Sequence, residues 1–331
     1  MQGFQANDGA NKSIRIGNSE FEGSRALSIA YDALGPGQVV VVTTPTFSPR
    51  EMLNMRTYDL MATPLVYPGQ TISARVVGHV ANRGAVTVRL RLRVYDERDE
   101  LRDVDGEPVT VAPGQDALLQ WRVPEFDGQP IGEIGLAIAA EGRRSDGEIL
   151  VDFVRWDGAP TLTLHRPKGD CDFWRMSWVN GVSFFSKRFQ PSFRISQDSG
   201  EGIIIHGTRQ WTDYAVRSRI TVHLGDYGGV AVRVQGLRRY YGVRLTRAGQ
   251  MEIVRVRDDD VVVLASTPME LRFETGIDVT VKAAGKELIA EADGKRLQVR
   301  DDSPLAFIDG GIGLFIADGA LSAHEVSVSP L

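Results

Sequence analysis

The chain has little cysteine, no long apolar run and no excess of basic charge. Its single cysteine, Cys171, excludes an internal disulfide, so any domain must be held together by packing alone. No stretch approaches the roughly 18 consecutive apolar residues of a membrane-spanning helix. The first residues also lack the basic and apolar regions of a secretory signal. We therefore expect no membrane insertion and favour a cytoplasmic location, unless the chain has lost an upstream domain.

The distribution of charge argues against nucleic-acid binding. Lysine and arginine together number 38 and aspartate and glutamate 43, which gives a net charge of −5. Residues 1–160 hold 16 basic and 22 acidic side chains, and residues 161–331 hold 22 and 21. A nucleic-acid-binding protein needs a basic face to neutralise phosphates, and usually a basic domain. Neither half supplies one, so we predict no nucleic-acid partner.

Alternation of apolar and polar residues is the strongest pattern that is present. In Val86–Tyr95 an apolar residue occupies every second position, and Gly229–Gly236, Tyr240–Leu245 and Gly310–Phe315 repeat this period. A period of two, bounded by Gly, Asp or Pro, is typical of half-buried antiparallel strands. No segment carries a helical stripe, and 331 residues are enough for two cores. The sequence predicts an all-β protein made of two tandem antiparallel β-sandwiches.

The boundary between the two sandwiches is marked by turn-forming residues. Asp157-Gly-Ala-Pro160 closes the first series of strands, and Pro167-Lys-Gly-Asp170 precedes the second. Pro fixes φ and Gly accepts positive φ, so such clusters end regular structure. We predict a first domain over residues 1–158, a linker over 159–167 and a second domain over 168–331.

Several segments resemble known families. The segment Gln210-Trp-Thr-Asp-Tyr-Ala-Val216 and the hairpin after it resemble the laminin-G/concanavalin-like sandwiches of bacterial carbohydrate-active proteins. Upstream, Glu22–Ser28, Leu65–Gln70 and Ile149–Gly158 look like a galactose-binding-type jelly roll of carbohydrate-binding modules. This order is similar to the non-catalytic C-terminal region of some bacterial multidomain ADP-ribosylglycohydrolase-family proteins.

The resemblance implies an accessory region that binds carbohydrate or an ADP-ribose-like ligand and works beside an upstream catalytic domain. The catalytic part of those enzymes is helical and carries paired acidic motifs that bind magnesium, and nothing in this sequence matches it. The resemblance therefore predicts recognition of a ligand without catalysis.

Two other functions stay open: a glycoside hydrolase with an unfamiliar carboxylate pair, and a structural adaptor that joins proteins. Glycoside hydrolysis needs two carboxylates about 5 to 10 Å apart. The cluster Asp96–Glu100 is acidic enough, but it follows a predicted strand and is typical of a solvated hairpin loop. We assign no catalytic residue.

The first candidate ligand site is a cationic sheet face. If the predicted strands Thr71–Val80 and Val86–Tyr95 pair, they place Arg75, Arg89, Arg91, Arg93 and Tyr95 on one face. Guanidinium groups suit phosphate or carboxylate in a bidentate manner. Because like charges on neighbouring strands are unfavourable, the face calls for compensating acidic residues or a bound anion. An ordinary solvated sheet face is the alternative interpretation.

The second candidate site lies on the hairpin of the second domain. If Val230, Val232 and Val234 point towards the core, the opposite face presents a quartet that mixes aromatic and hydrogen-bonding groups. The quartet consists of Arg233, Gln235, Tyr240 and Arg244. It can bind a ligand, or it can be buried against the first domain, since Tyr and Arg are enriched in interface cores.

Calcium is the one metal that the sequence suggests. Asp152 occupies an inward-looking place in a predicted strand, where a carboxylate needs a cation or hydrogen-bond donors. Jelly rolls of the type that this half resembles often hold a structural calcium near the N-terminal segment, where Gln5 and Asp8 would have to contribute. A hydrogen-bonded or salt-bridged Asp152 is the alternative.

Overall fold

The computed structural model describes residues 4–6, 14–49, 63–140, 142, 144–189 and 192–331, and their regular secondary structure is almost entirely β-strand. One helical turn, α1, spans Phe173–Met176. In this part of the chain no helix is long and apolar enough to cross a membrane. The predicted fold class, all-β with antiparallel sandwiches, is confirmed.

The first sandwich packs two antiparallel sheets face to face. One sheet has the order β1-β4-β10-β6-β7, with β8 paired to β6, and the other has the order β2-β3-β11-β5-β9. The apolar residues of each alternating strand meet in a single buried cluster between the sheets. The strands are Gln5–Ala6 (β1), Ile14–Phe21 (β2), Ser24–Leu34 (β3), Val39–Pro45 (β4), Thr71–Gly78 (β5), Val86–Tyr95 (β6), Leu101–Asp105 (β7), Val109–Val111 (β8), Asp116–Arg122 (β9), Ile131–Ala140 (β10) and Ser145–Asp157 (β11).

The predicted pairing of the two arginine-rich strands is wrong. Strand β6 pairs with β10, β7 and β8, whereas β5 pairs with β11 and β9 in the opposite sheet. Both strands turn their apolar residues into the space between the sheets, so their polar faces point away from each other. Arg75 therefore does not share a face with Arg89, Arg91 and Arg93.

The second sandwich is a sheet that folds over on itself. The hydrogen-bonded order is β20-β19-β18-β17-β24-β16-β21-β22-β23, with β12 and β15 also paired to β24 and with β13 and β14 paired to β15. The strands are Leu162–His165 (β12), Val179–Gly181 (β13), Phe184–Ser186 (β14), Phe193–His206 (β15), Tyr214–Leu224 (β16), Tyr227–Gly236 (β17), Arg239–Thr246 (β18), Gln250–Arg257 (β19), Asp260–Pro268 (β20), Gly276–Ala284 (β21), Glu287–Ala292 (β22), Lys295–Arg300 (β23) and Gly311–Pro330 (β24).

The long strand β24 connects the two layers of this sandwich. Its first part, to Ala317, pairs with β17, and its second part, from Ala320, pairs with β16. Between them Asp318 has a φ of 49°, which is a conformation that turns the chain. We call the layer of β17, β18, β19, β20, the part of β15 from Glu201 and the first part of β24 the front layer. The layer of β16, β21, β22, β23, the part of β15 up to Gln197 and the second part of β24 is the back layer.

The two sandwiches touch through a junction that begins inside the predicted linker. Strand β12 lies within residues 159–167 and pairs with β24 of the second sandwich, Leu162 opposite Val328. Just before it, the Thr161 amide donates to the Pro68 carbonyl at 2.8 Å. The Asp99 carboxylate accepts hydrogen bonds from the amides of Asp172 and Phe173 at 2.8 and 3.0 Å, across the same junction. The segment between the sandwiches is thus hydrogen-bonded to the first sandwich at Thr161 and to the second sandwich through β12.

Candidate functional site

The arginine face of the first sandwich is neutralised by its own neighbours. Arg91 donates to Asp105 at 2.6 Å and to Asp103 at 2.7 Å. Arg93 donates to Asp103 at 3.0 Å and to Glu133 at 3.2 Å, and Glu133 also accepts from the Thr43 hydroxyl at 2.6 Å. This polar line crosses β7, β6, β10 and β4. Of the two explanations that the sequence offers for clustered arginines, compensating acidic residues account for Arg91 and Arg93.

The remaining members of that predicted site lie in different surroundings. Arg75, on the opposite sheet, pairs with Glu22 at 2.9 Å and with Asp116 at 3.1 Å. Tyr95 is buried, and its ring packs edge to face against Phe173 of the second sandwich, with centroids 4.9 Å apart. Arg89 is half-buried and has no charged partner among the described residues. The structure therefore does not bring the predicted set together as one ligand surface.

The two predicted calcium ligands that the structure describes, Gln5 and Asp152, lie in different sheets. Asp152 lies at a bulge of β11, is half-buried rather than inward-facing, and pairs with Arg75 at 3.5 Å. Gln5 lies on β1, in the other sheet, opposite Thr43. Asp8 lies outside the described residues. Arg75 thus takes the place beside Asp152 that a cation would take, and no group of three or more His, Cys, Asp or Glu within the described ranges could hold a metal ion.

Two members of the predicted quartet on the second sandwich serve the fold. Arg233 has a φ of 53° at a bulge in β17, and this bulge moves Val234 off the face shared by Val230 and Val232. Its side chain is fully buried, and it donates to the Phe307 carbonyl at 3.2 Å and to Asp213 at 3.1 Å. Gln235 donates to the Asp309 carboxylate at 2.7 Å. Arg233 is thus closed off from solvent, whereas Gln235 is half-buried.

The other two members lie on the outer face of the front layer. There, alternate residues of the strands turn away from the main core and form a second apolar cluster. Glycines 229 and 242 lie on the same face, because they stand opposite Arg244 and Val254 in neighbouring strands. A Cβ on Gly229 would lie 1.9 Å from the Val243 carbonyl oxygen, so only glycine fits there. The cluster contains Ile203, Ala231, Val234, Tyr240, Val254, Val256 and Phe315.

A polar group surrounds one end of this cluster, and we call it the Tyr227 site. It consists of Glu201, Tyr227, Tyr240, Arg244 and Glu252. Arg244 donates to Glu252 at 2.6 Å, and its guanidinium carbon lies 4.8 Å from the centre of the Tyr227 ring. The hydroxyl of Tyr240 donates to Glu201. The site therefore combines an aromatic ring, a guanidinium group and two carboxylates on one sheet face.

Burial and charge at the Tyr227 site affect its tyrosines. Burial, and then the nearby Glu201 carboxylate, raise the pKa of Tyr227 to about 12. The same two causes raise the pKa of Tyr240 well above its usual value. Both hydroxyls therefore keep their protons at neutral pH and serve as hydrogen-bond donors. Tyr227 is half-buried and Glu201 is exposed, so a ligand can reach them. Tyr240 is fully buried and holds Glu201 through the hydrogen bond from its hydroxyl.

Two recesses elsewhere fit a saccharide less well. A cavity at the junction, whose polar lining residues are Glu125, Gln129, Ser177 and His206, offers about 20 Å³, which is room for a single water. An open groove of about 430 Å³ at one end of the second sandwich is lined by Met269, Glu270, Arg272, Asp293 and Lys295 among others. None of its described lining residues is aromatic, so these residues offer no stacking surface for a sugar.

No protein-family model matches this chain, and no curated protein matches it. Several solved structures can be superposed on parts or all of its backbone. Carbohydrate-binding module CBM66 from Bacillus subtilis is 14% identical and covers 46% of this chain and 94% of its own, with a TM-score of 0.41. The mannose-bound VIP36 exoplasmic/lumenal domain is 10% identical and covers 46% of this chain and 83% of its own, with a TM-score of 0.37.

The CBM22-1–CBM22-2 tandem of Paenibacillus barcinonensis Xyn10C is 10% identical and covers 100% of this chain and 94% of its own, with a TM-score of 0.32. At identities of 10 to 14% and TM-scores from 0.32 to 0.41, these overlaps carry no argument about what this chain binds.

Proposed function

We propose that this chain is a non-catalytic carbohydrate-binding protein that holds a saccharide at the Tyr227 site. The observation that carries the proposal is the Tyr227 ring, which is half-buried on an outer sheet face with Arg244 stacked on it and Glu201 beside it. Aromatic rings pack against the apolar faces of sugar rings, and a few placed polar groups bond to the hydroxyls.

A saccharide suits the site better than an ADP-ribose-like ligand. The site contains two carboxylates and one guanidinium, and that guanidinium is already paired with Glu252 at 2.6 Å. A diphosphate would bring further negative charge next to Glu201, and like charges repel at short range. The ADP-ribose ligand and the upstream catalytic domain remain predictions of the sequence resemblance. ADP-ribose, titrated under the same conditions as the best saccharide, is therefore the comparison ligand, and we expect it to bind more weakly.

We expect binding without turnover. Glycoside hydrolysis uses two carboxylates, one of which must carry a proton. At the Tyr227 site Glu252 is held by Arg244, and Glu201 is the one carboxylate without a basic partner among the described residues. We assign hydrolysis to neither of them. Release of sugar from labelled glycans, abolished by replacing a single carboxylate, would overturn this part of the proposal.

The binding test combines a glycan array with calorimetric titration of the best ligand. We expect Tyr227→Ala and Arg244→Gln each to weaken binding at least tenfold, about 1.4 kcal/mol. Arg219→Gln is the matched control, because Arg219 also makes a salt bridge, to Asp278 at 2.7 Å, but lies on β16 in the back layer. Arg272→Gln reports on the open groove. Affinity lost in Arg272→Gln and kept in Arg244→Gln would contradict the proposed location.

A further inference from the structure

The carboxylate of Glu201 differs from the other charged groups at the Tyr227 site. Arg244 and Glu252 neutralise each other at 2.6 Å, and both side chains are mostly buried, 17% and 16% exposed. Glu201 is exposed and has no basic partner in the described part of the chain. Its bond from Tyr240 comes from a neutral hydroxyl, so its negative charge is fixed in place without being cancelled.

The surroundings of Glu201 increase this negative charge. Asp318, exposed at the turn between the two parts of β24, lies near enough to act with Glu201 in raising the pKa of Tyr227. Its carboxylate accepts a bond from the amide of Gly200, next to Glu201 in the chain. The Tyr227 ring already attracts the Arg244 guanidinium, which shows that its face suits a cation. An uncancelled carboxylate beside a tyrosine ring is favourable for an ammonium group.

From this arrangement we infer that the Tyr227 site selects saccharides that carry a primary ammonium group, as de-N-acetylated amino sugars do, over neutral and anionic saccharides. The inference rests on the proposed saccharide binding at the same site and specifies its ligand class. The ammonium group donates to Glu201, whereas the sugar ring lies against Tyr227. A uronate or sulfated sugar places its own negative charge near Glu201 and Asp318 and is disfavoured.

The test is titration of the full chain with three oligosaccharides of equal length: glucosamine, N-acetylglucosamine and galacturonate oligomers, at pH 6 and low salt. We expect the glucosamine oligomer to bind at least tenfold more tightly than either of the others. Because exposed charges are screened, the difference should shrink in 0.5 M salt. Equal or weaker binding of the glucosamine oligomer would overturn the inference while leaving saccharide binding intact. Failure of every saccharide on the array would instead overturn the proposed function.

A pair of variants separates the local carboxylate from the overall field of the protein. In Glu201→Gln we expect the preference for glucosamine oligomers to disappear, since the neutral amide does not attract the ammonium group, whereas the Tyr240 hydroxyl can still donate to the new amide oxygen. Glu325→Gln removes one exposed negative charge from β24 in the back layer and should leave the preference unchanged. A preference that survives in Glu201→Gln would overturn the inference.

Discussion

Tyr67 of the first sandwich meets Trp211 of the second edge to face, with ring centroids 4.8 Å apart and ring planes at 79°. Both side chains are buried, and Tyr67 belongs to the apolar cluster that forms the core of the second sandwich. The same tyrosine contacts His206, with centroids 5.4 Å apart. The two sandwiches therefore share buried aromatic surface, which couples their stabilities.

Tyr67→Ala should reveal this coupling. Removing a buried aromatic side chain costs about 3 to 5 kcal/mol of unfolding free energy, and here we expect the loss to appear in the second sandwich, although residue 67 lies in the first. Urea unfolding followed by tryptophan fluorescence measures it, because Trp174, Trp178 and Trp211 all belong to the second core. Phe189→Ala, at an exposed aromatic, is the control. A loss below about 1 kcal/mol would show that the junction is not a shared core.

His206 gives the junction a pH dependence. Its Nδ1–H donates to the Ser177 carbonyl at 2.8 Å, and burial lowers its pKa from 6.5 to about 4. Between pH 6.5 and pH 4 the imidazole of His206 is protonated in the unfolded chain but stays neutral in the folded protein. The contribution of the neutral imidazole to the free energy of unfolding is therefore complete above pH 6.5 and is lost as pH falls towards 4. The shift corresponds to about 3 kcal/mol. We expect His206→Gln to flatten the fall in stability over this range, as measured by urea unfolding at several pH values. An unchanged slope would contradict a buried neutral His206.

Arg89 and Arg91 provide a matched pair on one strand. Arg91→Gln leaves Asp103 and Asp105 without their shared cation, whereas Arg89 has no charged partner in the described structure. We expect Arg91→Gln to lower the free energy of unfolding by about 1 to 2 kcal/mol and Arg89→Gln to change it by less than about 0.5 kcal/mol. Thermal or urea unfolding of the two variants checks this. Equal effects would show that the ion pairs at Arg91 contribute nothing to stability.

The strands could be predicted from the sequence because their pattern is local. The alternation in Val86–Tyr95 appears in β6 as far as Val94, whereas β5 and β18 are buried on both faces over most of their length. Their partners could not be predicted, because sheet pairing in a sandwich depends on contacts between distant residues. Strands β5 and β6 both alternate in sequence, yet they lie in opposite sheets. The bulge at Arg233 could not be predicted from the alternating pattern either, because one extra residue reverses which side chains face the core.

Only part of the Tyr227 site could be found from the sequence. Tyr240 and Arg244 stand on one strand and were predicted together with Arg233 and Gln235, which bond to groups of the same sandwich. Glu201 and Tyr227 come from other strands, and nothing in their local sequence links them to that hairpin. Glu252 carries one usable signal: it is a charged residue between Met251 and Ile253, directly across a short turn from Arg244. A search for opposite charges on adjacent strands would have paired them.

Saccharide binding on the outer face of the front layer is the central claim, and mapping of backbone amides in ¹⁵N-labelled protein tests it most directly. We expect titration with the best saccharide ligand to shift amide resonances of Glu201–Ile205, Tyr227–Ala231, Tyr240–Arg244 and Glu252–Val256, and to leave those of β21 and β22 unchanged. Shifts confined to β6 and β10, to the groove at Arg272 or to the back layer would contradict the account.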